Sequence, residues 1–233
     1  KPSIIVLTKM DLADPKETRK WIEYYEKMGQ PAVAINSVQG SLKVIDKKIK
    51  EVLAEKLANK KARGILSQRI KVMCIGIPNV GKSTLLNHLV KKNVAQVGNR
   101  PGVTKSQQWL KAGKDLQLLD TPGILWPKFE DPIVGKKLAL TGAIKDTLYA
   151  KDDVALYEIE EFSAKNPQAL IERYKIDEEL LELPTVEVLL ELTRKLGFKD
   201  DYERASERLI FDCRKGKLGR YTLDDVPKDP AKV

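Results

Sequence analysis

Residues 76–83 have the spacing of a phosphate-binding loop. They read Gly-Ile-Pro-Asn-Val-Gly-Lys-Ser and fit the pattern Gly-x-x-x-x-Gly-Lys-Ser. In such a loop, exposed backbone amides and the positive end of the following helix bind phosphate oxygens. We expect Lys82 to reach the terminal phosphates of a nucleotide and Ser83 to coordinate Mg²⁺. The predicted phosphate contacts also include Asn79, Val80, Gly81 and Thr84.

Two downstream segments carry groups suited to a third phosphate and a metal ion. In Asp120-Thr121-Pro122-Gly123, we expect the Asp120 carboxylate to hold Mg²⁺ through water or through one of the ion's ligands, and the Gly123 amide to contact the third phosphate. Thr104 lies between this segment and the phosphate loop. Its hydroxyl is predicted to be the second protein ligand of Mg²⁺ when the third phosphate is present.

An upstream motif, Thr8-Lys9-Met10-Asp11, has the residues needed to select a base. A carboxylate can accept both neighbouring donors of guanine, its ring N–H and its exocyclic amine. Adenine lacks that ring N–H, and leaving a buried polar group unsatisfied costs about 1–3 kcal/mol. Asp11 therefore predicts a preference for guanine, and the aliphatic stem of Lys9 is expected to lie along the base plane.

Two further positions complete the predicted base site. Asn36-Ser37 ends the next strand, where a backbone amide can meet the guanine carbonyl. Thr8 stands where an asparagine is more usual.

The elements that must position these motifs alternate along the chain. Apolar runs of strand length occur at residues 3–7, 32–35 and 70–75, and residues 108–111 and 116–119 are predicted to form a hairpin pair that ends at Asp120. Helical patterns cover about residues 16–28, 42–61 and 83–92. Strand, loop and helix in repetition predict an α/β fold with a doubly wound, mostly parallel sheet that binds ligands at the carboxyl ends of its strands.

The pattern changes near residue 151. From there, apolar residues recur at helical spacing, in residues 154–162, 169–174 and 186–196. We therefore predict a nucleotide-binding domain over residues 1–150 and a small all-helical domain over residues 151–233. Because we count five strands where such domains usually have six, we expect an amino-terminal segment to precede Lys1.

The order of the motifs resembles that of the circularly permuted GTPases, because Thr8–Asp11 and Asn36–Ser37 precede Gly76–Ser83. The runs Arg100–Thr104, Asp120–Pro127 and Leu140–Ile144 are similar to those of the ribosome biogenesis GTPase A family of bacterial large-subunit assembly factors. This resemblance implies GTP hydrolysis, a carboxyl-terminal helical domain that docks on ribosomal RNA, and binding to the immature 50S subunit at a late step of its assembly.

The resemblance also bears on catalysis. Many GTPases place a glutamine after the glycine corresponding to Gly123, to orient the attacking water. Here that residue is Ile124, which cannot do so. Asn79 is at the position that helps to hold a K⁺ ion in similar GTPases. The predicted catalytic set is therefore Asn79, Lys82, Thr104 and Gly123, with slow hydrolysis that the ribosomal subunit stimulates.

Composition and charge restrict the partners. The net charge is +9, and residues 41–70 carry nine basic against three acidic residues. A second basic cluster comprises Arg204, Arg208, Arg214, Lys215, Lys217 and Arg220. These surfaces predict a polyanionic partner such as ribosomal RNA, although the lysines of residues 43–61 are explained almost as well by a solvated helix face.

Other classes of protein fit less well. No run of eighteen apolar residues could span a bilayer, and Cys74 and Cys213 lack metal-ligand spacing. We expect a cytoplasmic monomer with reduced thiols that does not associate with membranes. Two functions remain open: a GTPase whose hydrolysis times release from a ribosomal precursor, and an RNA-binding scaffold in which GTP only fixes domain orientation.

Overall fold

The computed structural model describes residues 1–36, 43–64, 69–90, 108–112, 116–126 and 128–227. The chain divides into two compact units. Unit 1 comprises Lys1–Leu125 and the segment that starts at Asp224, and unit 2 comprises Trp126–Leu223. The two units divide after residue 125, whereas the change of sequence pattern placed the predicted domain boundary near residue 151.

The described strands of unit 1 form two sheets rather than the one sheet predicted. The strands are β1 (Ile5–Leu7), β2 (Ala32–Ala34), β3 (Ile70–Cys74), β4 (Gln108–Ala112) and β5 (Leu116–Asp120). In the first sheet β1 pairs with β2 in parallel. In the second, β5 lies between β3, its parallel neighbour, and β4, its antiparallel neighbour. The sheets are separate because no hydrogen-bonded pairing joins β1 or β2 to any of the other described strands.

The helices of unit 1 lie close to their predicted positions. They are α1 (Pro15–Lys27), α2 (Lys43–Val52), α3 (Ala54–Ala62) and α4 (Lys82–Val90). Helix α1 begins where the Asp14 carboxylate accepts hydrogen bonds from the amides of Lys16 and Glu17, at 2.6 and 3.0 Å. The single helix predicted over residues 42–61 is divided at Leu53 into α2 and α3.

The packing of unit 1 explains why a buried carboxylate, Asp120, lies at the end of a strand of the second sheet. Helices α2 and α4 pack their apolar side chains against both sheets in one cluster. On β5, alternate residues point into this core, so Leu116, Leu118 and Asp120 are all buried. The last inward-facing residue of β5 is therefore Asp120, which places a carboxylate at the carboxyl end of the strand.

The described residues of unit 2 form five α-helices and one 3-10 helix. The α-helices are α5 (Pro132–Leu140), α6 (Lys151–Lys165), α7 (Pro167–Tyr174), α8 (Thr185–Lys195) and α9 (Tyr202–Arg214), and the 3-10 helix spans Glu178–Glu182. Helices α5 and α9 begin at the capping carboxylates of Asp131 and Asp201. Leu170, Leu192 and Leu209 are completely buried in the core that these helices share. Nowhere in the described ranges is a helix both long enough and apolar enough to cross a membrane.

Candidate nucleotide-binding site

The phosphate loop connects β3 to α4, as its sequence predicts. Two of its residues have a left-handed backbone, Asn79 with φ of +56° and Gly81 with φ of +96°. For residues other than glycine and asparagine, this backbone conformation costs about 1–2 kcal/mol. Asn79 therefore has a backbone reason for its identity, in addition to the predicted cation-binding role.

The Lys82 ammonium is held inside the loop. Its Nζ donates hydrogen bonds to the carbonyls of Gly76 and Ile77, at 3.0 and 2.7 Å. Burial lowers the pKa of Lys82, and the neighbouring Cys74 and Asp120 offset this only in part. A buried cation among carbonyl dipoles is placed to bind an anion, because phosphate oxygens would supply the full opposite charge that the loop lacks.

Asp120 is a buried carboxylate whose oxygens can accept further hydrogen bonds or bind a metal ion. It is 0% exposed, and neither of its oxygens completes a hydrogen bond with a described residue. Burial raises the pKa of Asp120, while Lys82, the Thr121 amide and the Ser83 hydroxyl each act to lower it. A buried carboxylate beside a serine hydroxyl fits Mg²⁺, which prefers oxygen ligands.

A metal ion at this position would need further ligands. In the part of the chain that the structure describes, no three His, Cys, Asp or Glu side chains gather closely enough to hold one. Nucleotide oxygens and water would therefore have to complete the shell around Ser83 and Asp120. Thr104, the other predicted ligand, lies outside the described residues.

Gly123 lies directly against the phosphate loop. A Cβ atom there would be 2.6 Å from both the Cα and the N of Pro78 and 3.0 Å from the carbonyl carbon of Ile77. The next residue, Ile124, donates its amide to the carbonyl of Gly76 at 3.3 Å. The segment that follows β5 is thus in backbone contact with the loop, and only glycine fits at position 123.

The predicted base-reading motif is bonded to the same loop. The Thr8 hydroxyl donates a hydrogen bond of 2.5 Å to the carbonyl of Val80. Lys9 has a left-handed backbone with φ of +54°, and the Met10 amide donates to the carbonyl of Ile35. Asp11 is exposed to solvent, so its carboxylate is open to a ligand.

The second base-contacting position follows from strand pairing. Because β1 and β2 are parallel, their carboxyl ends meet at one edge of the sheet, and Asn36 comes two residues after β2 ends. Its predicted neighbour Ser37 lies outside the described residues. His88, the single histidine of the sequence, is exposed on α4.

Two contacts of the site were not anticipated from the sequence. Thr8 departs from the usual asparagine, yet its hydroxyl makes the bond to Val80. The Thr121 hydroxyl donates to the carbonyl of Cys74 at 2.6 Å and joins the carboxyl ends of β3 and β5. Both bonds join segments far apart in the chain, and a threonine by itself gives no signal of them.

Comparison with known proteins agrees with this arrangement. Residues 71–191 match the family model described as 50S ribosome-binding GTPase, and residues 2–130 match the model described as RsgA GTPase. Among curated proteins, ribosome biogenesis GTPase A of Priestia megaterium is 44% identical over 97% of this chain and 80% of its own length. The chain belongs to the ribosome biogenesis GTPase A family.

Solved structures show the same fold. A GDP-bound structure of YlqF aligns with a TM-score of 0.68 and 26% identity, over 97% of this chain and 84% of that one. GNP-bound YlqF from T. maritima aligns with a TM-score of 0.62 and 24% identity, over 96% and 82% of the two chains. Family membership makes the chain a guanine-nucleotide-binding P-loop GTPase that acts in ribosome biogenesis.

Proposed function

We propose that this GTPase binds the immature 50S subunit, acts as a monomer at a late step of its assembly, and is released when GTP is hydrolysed. The observation that carries the nucleotide part is the hydrogen bond between Thr8 and Val80, because it brings the base-reading motif and the phosphate loop into one site. The subunit part is supported by the matching family model, whose description names 50S ribosome binding.

In the proposed site, the exposed Asp11 carboxylate accepts both guanine donors, and Lys9 lies along the base. Asn36 and Ser37 contact the guanine carbonyl. Residues 79–84, from the phosphate loop and the first turn of α4, and the Gly123 amide bind the phosphates. Mg²⁺ is held by Ser83, Asp120 and, when the third phosphate is present, Thr104.

Chain order gives the proposal a mechanical component. We infer a circular permutation, since the guanine motif at Thr8–Asp11 precedes the phosphate loop at Gly76–Ser83. The segment Asp120–Gly123 is then followed directly by the proposed all-helical, RNA-binding part of the chain. Loss of the third phosphate would release Gly123, and the connecting chain would pass the change on.

Catalysis without help is expected to be slow. The residue after Gly123 is Ile124, which is 68% exposed and has no group that can orient water. We propose that Asn79 helps to hold a K⁺ ion that supplies positive charge at the phosphates, and that the ribosomal subunit accelerates the reaction. Ile124 also favours a second candidate, a GTP-regulated RNA-binding scaffold with little hydrolysis of its own.

The base assignment is tested by Asp11→Asn. One acceptor becomes a donor that faces the donors of guanine, so GTP affinity should fall at least tenfold, about 1.4 kcal/mol or more. Affinity for xanthosine triphosphate should rise, because its carbonyl accepts from the new amide. If titration shows equal GTP binding by the two proteins, the assignment of Asp11 is wrong.

The subunit assignment is tested by co-sedimentation with immature and mature 50S particles. We expect more protein to pellet with immature particles and a non-hydrolysable GTP analogue than with GDP. Multiple-turnover hydrolysis, measured with and without particles, separates the enzyme from the scaffold. Binding without any stimulation of turnover would favour the scaffold, and no binding in either nucleotide state would reject both.

A further inference from the structure

A groove runs along unit 2 between the 3-10 helix and α8. It is open to solvent, with a volume of about 520 Å³. Its lining residues are Asp177, Leu180, Leu183, Glu187, Leu190, Glu191, Arg194 and Lys195. None of the nucleotide-binding motifs contributes to it, so it is distinct from the site described above.

The floor of the groove is apolar and exposed. Leu183 is 44% exposed and Leu190 is 38% exposed, and Val186, four residues before Leu190 on α8, is 54% exposed. Residues four apart on a helix lie on one face, so Val186 extends the exposed apolar surface of Leu190 beyond the lining of the groove. The core needs none of them, because α8 buries Val188, Leu189, Leu192 and Thr193 on its other side.

The rim of the groove is acidic. Residues 176–191 contain six acidic and no basic residues, in a chain with a net charge of +9. Asp177 and Glu187 make no ion pair within the described residues, and Glu191 pairs with Arg194 at 3.1 Å on the surface. Arg194 and Lys195, both in the last turn of α8, add positive charge only at that end of the groove.

We propose that this groove docks a lysine- and arginine-rich polypeptide segment that carries aliphatic anchor residues. The apolar floor has room for two or three aliphatic side chains, and the acidic rim would pair with the basic residues on either side of them. RNA does not fit, because its phosphates would meet Asp177 and Glu187, which have no counter-charge in an ion pair within the described residues. Arg194 and Lys195 would fix the orientation of the bound segment, because its basic residues would lie away from the end of the groove that these two residues occupy.

The inference rests on the proposed function only for the source of the segment, which would be a basic protein of the ribosomal particle. The binding chemistry itself belongs to unit 2 and can be measured without particles. A failure of one proposal therefore leaves the other testable.

The experiment titrates the full chain into a fluorescent twelve-residue amphipathic peptide of leucine and lysine, followed by anisotropy. We expect saturable binding that Glu187→Lys with Glu191→Lys weakens at least tenfold. Val186→Ser with Leu190→Ser should weaken it at least fivefold, because the anchors would no longer pack against apolar side chains. The matched control is Asp153→Lys with Glu160→Lys, which makes the same change of charge at exposed positions of α6; it should change affinity less than twofold.

Other outcomes overturn the proposal. Equal weakening by the groove pair and the α6 pair would mean non-specific attraction, and absence of saturable binding would mean that the groove takes no such segment. If a single-stranded RNA binds and the Val186→Ser, Leu190→Ser pair removes that binding, the groove belongs to RNA. If the wild-type chain self-associates in light scattering and that pair abolishes it, the occupant is a second copy. Normal peptide binding with no 50S binding would count against the proposed function alone.

Discussion

Single residues around the nucleotide site are selected by the backbone as much as by the ligand. Lys9 and Asn79 both have left-handed φ angles, of +54° and +56°. Such conformations cost about 1–3 kcal/mol and persist where the surrounding structure imposes them, which is often at functional sites. At Gly123 the requirement is the lack of a Cβ, because the loop backbone occupies that space.

Gly123→Ala tests this requirement. The added methyl would lie 2.6 Å from Pro78, so either the loop or the segment after β5 must move. We expect the free energy of unfolding to fall by about 1–3 kcal/mol, together with a loss of GTP hydrolysis. The measurement is urea unfolding of the nucleotide-free protein.

Gly76→Ala is the matched control on the same loop. A Cβ there would be 3.5 Å from Val80 Cγ2, an ordinary contact, and the φ of Gly76 is not left-handed. We expect the stability of this variant to stay within about 0.5 kcal/mol of the wild type. Equal destabilisation by the two substitutions would show that the close approach at Gly123 is not what requires a glycine there.

A feature of the site can be predicted from the sequence when the residues that form it lie close together in the chain. The loop Gly76–Ser83 and the Asp120–Gly123 segment are local patterns, and the structure places both at the carboxyl ends of β3 and β5. The bond from Thr8 to Val80 joins residues 72 apart. No periodicity or spacing encodes such a pairing, because it depends on how two strands are positioned in three dimensions.

At the scale of elements, the end of α5 is capped by a side chain from α9. Arg214 Nη2 donates to the carbonyl of Ala139 at 2.6 Å, and its Nε donates to the carbonyl of Leu140 at 3.0 Å. The last carbonyls of a helix lack partners within the helix, and a cation there also interacts favourably with the helix dipole. Asp146 holds the same guanidinium at 2.9 Å. Arg214 was predicted as part of an RNA-binding cluster, and in the structure its hydrogen bonds stabilise unit 2.

Arg214→Gln is therefore expected to destabilise the fold by about 2–4 kcal/mol, because two carbonyls and Asp146 lose their partner. Thermal or urea unfolding followed by circular dichroism measures the loss. Arg204→Gln is the control on the same helix, since Arg204 is exposed and rests over the Phe198 ring at 4.8 Å. A stability loss as large in the control would contradict a special role for Arg214.

A buried carboxyl on α6 predicts a pH dependence. Glu158 is 0% exposed, and neither carboxylate oxygen has a hydrogen-bond partner among the described residues. Burial, together with repulsion from Asp212, raises the pKa of Glu158 well above the usual 4.5, and Arg214 offsets this only in part. The folded state thus holds the proton more tightly than the unfolded state, and stability is lost as the pH rises above the usual value toward the folded pKa.

Glu158→Met should remove this loss. We expect the free energy of unfolding to increase by about 1–3 kcal/mol at pH 8, and by less at pH 5, where the difference in protonation has only begun to develop. Urea unfolding at the two pH values measures both changes. Glu160→Met, at an exposed position of the same helix, should leave the stability nearly constant at both. A gain in the Glu158 variant that is independent of pH would contradict the assignment.

Element boundaries show where sequence patterns are insufficient. The pattern over residues 42–61 is helical throughout, but the backbone turns at Leu53, with φ of −100° and ψ of 4°. Helix α5 and the 3-10 helix were not predicted, because each is short and its apolar residues show no clear helical period. Both are held by tertiary contacts: Arg214 caps α5, and Leu180 and Leu181 of the 3-10 helix pack against the core of unit 2.

At the scale of the whole molecule, the structure divides the carboxyl-terminal cations other than Arg214 into two groups. Arg208 and Lys217 reach the buried Asp212 carboxylate at 3.2 and 3.1 Å, and Arg173 contacts it at 2.5 Å. These cations compensate a buried charge, and removing them would affect folding. Arg204, Lys215 and Arg220 are exposed and remain the candidates for contact with RNA.

Replacing Arg204, Lys215 and Arg220 by glutamine should weaken binding to 50S particles. It should also reduce the slope of log K against log salt by about 0.7–0.9 for each phosphate that the protein no longer neutralises. GTP affinity should not change, because these residues lie outside the nucleotide loops. Co-sedimentation over a range of salt concentrations measures the slope.

The matched variant replaces Lys56, Lys61 and Arg63, which lie on α3 or directly after its end, with the same change of charge. Helix α3 buries none of its residues, so this substitution should be tolerated structurally. If the α3 variant reduces the salt slope and the carboxyl-terminal variant leaves it unchanged, the RNA-binding surface lies on α3.

The bond between Thr8 and Val80 has a further consequence, for the lifetime of the protein. A nucleotide that contacts both loops can bind only when the segments around Thr8 and Val80, 72 residues apart in the chain, lie together. Its binding free energy therefore adds to the stability of unit 1. At a ligand concentration about a thousandfold above Kd, this contribution is about 4 kcal/mol. Proteases that cleave transiently opened chains would then degrade the empty protein far faster than the loaded one, and the supply of guanine nucleotide would set the abundance of the factor as well as its activity.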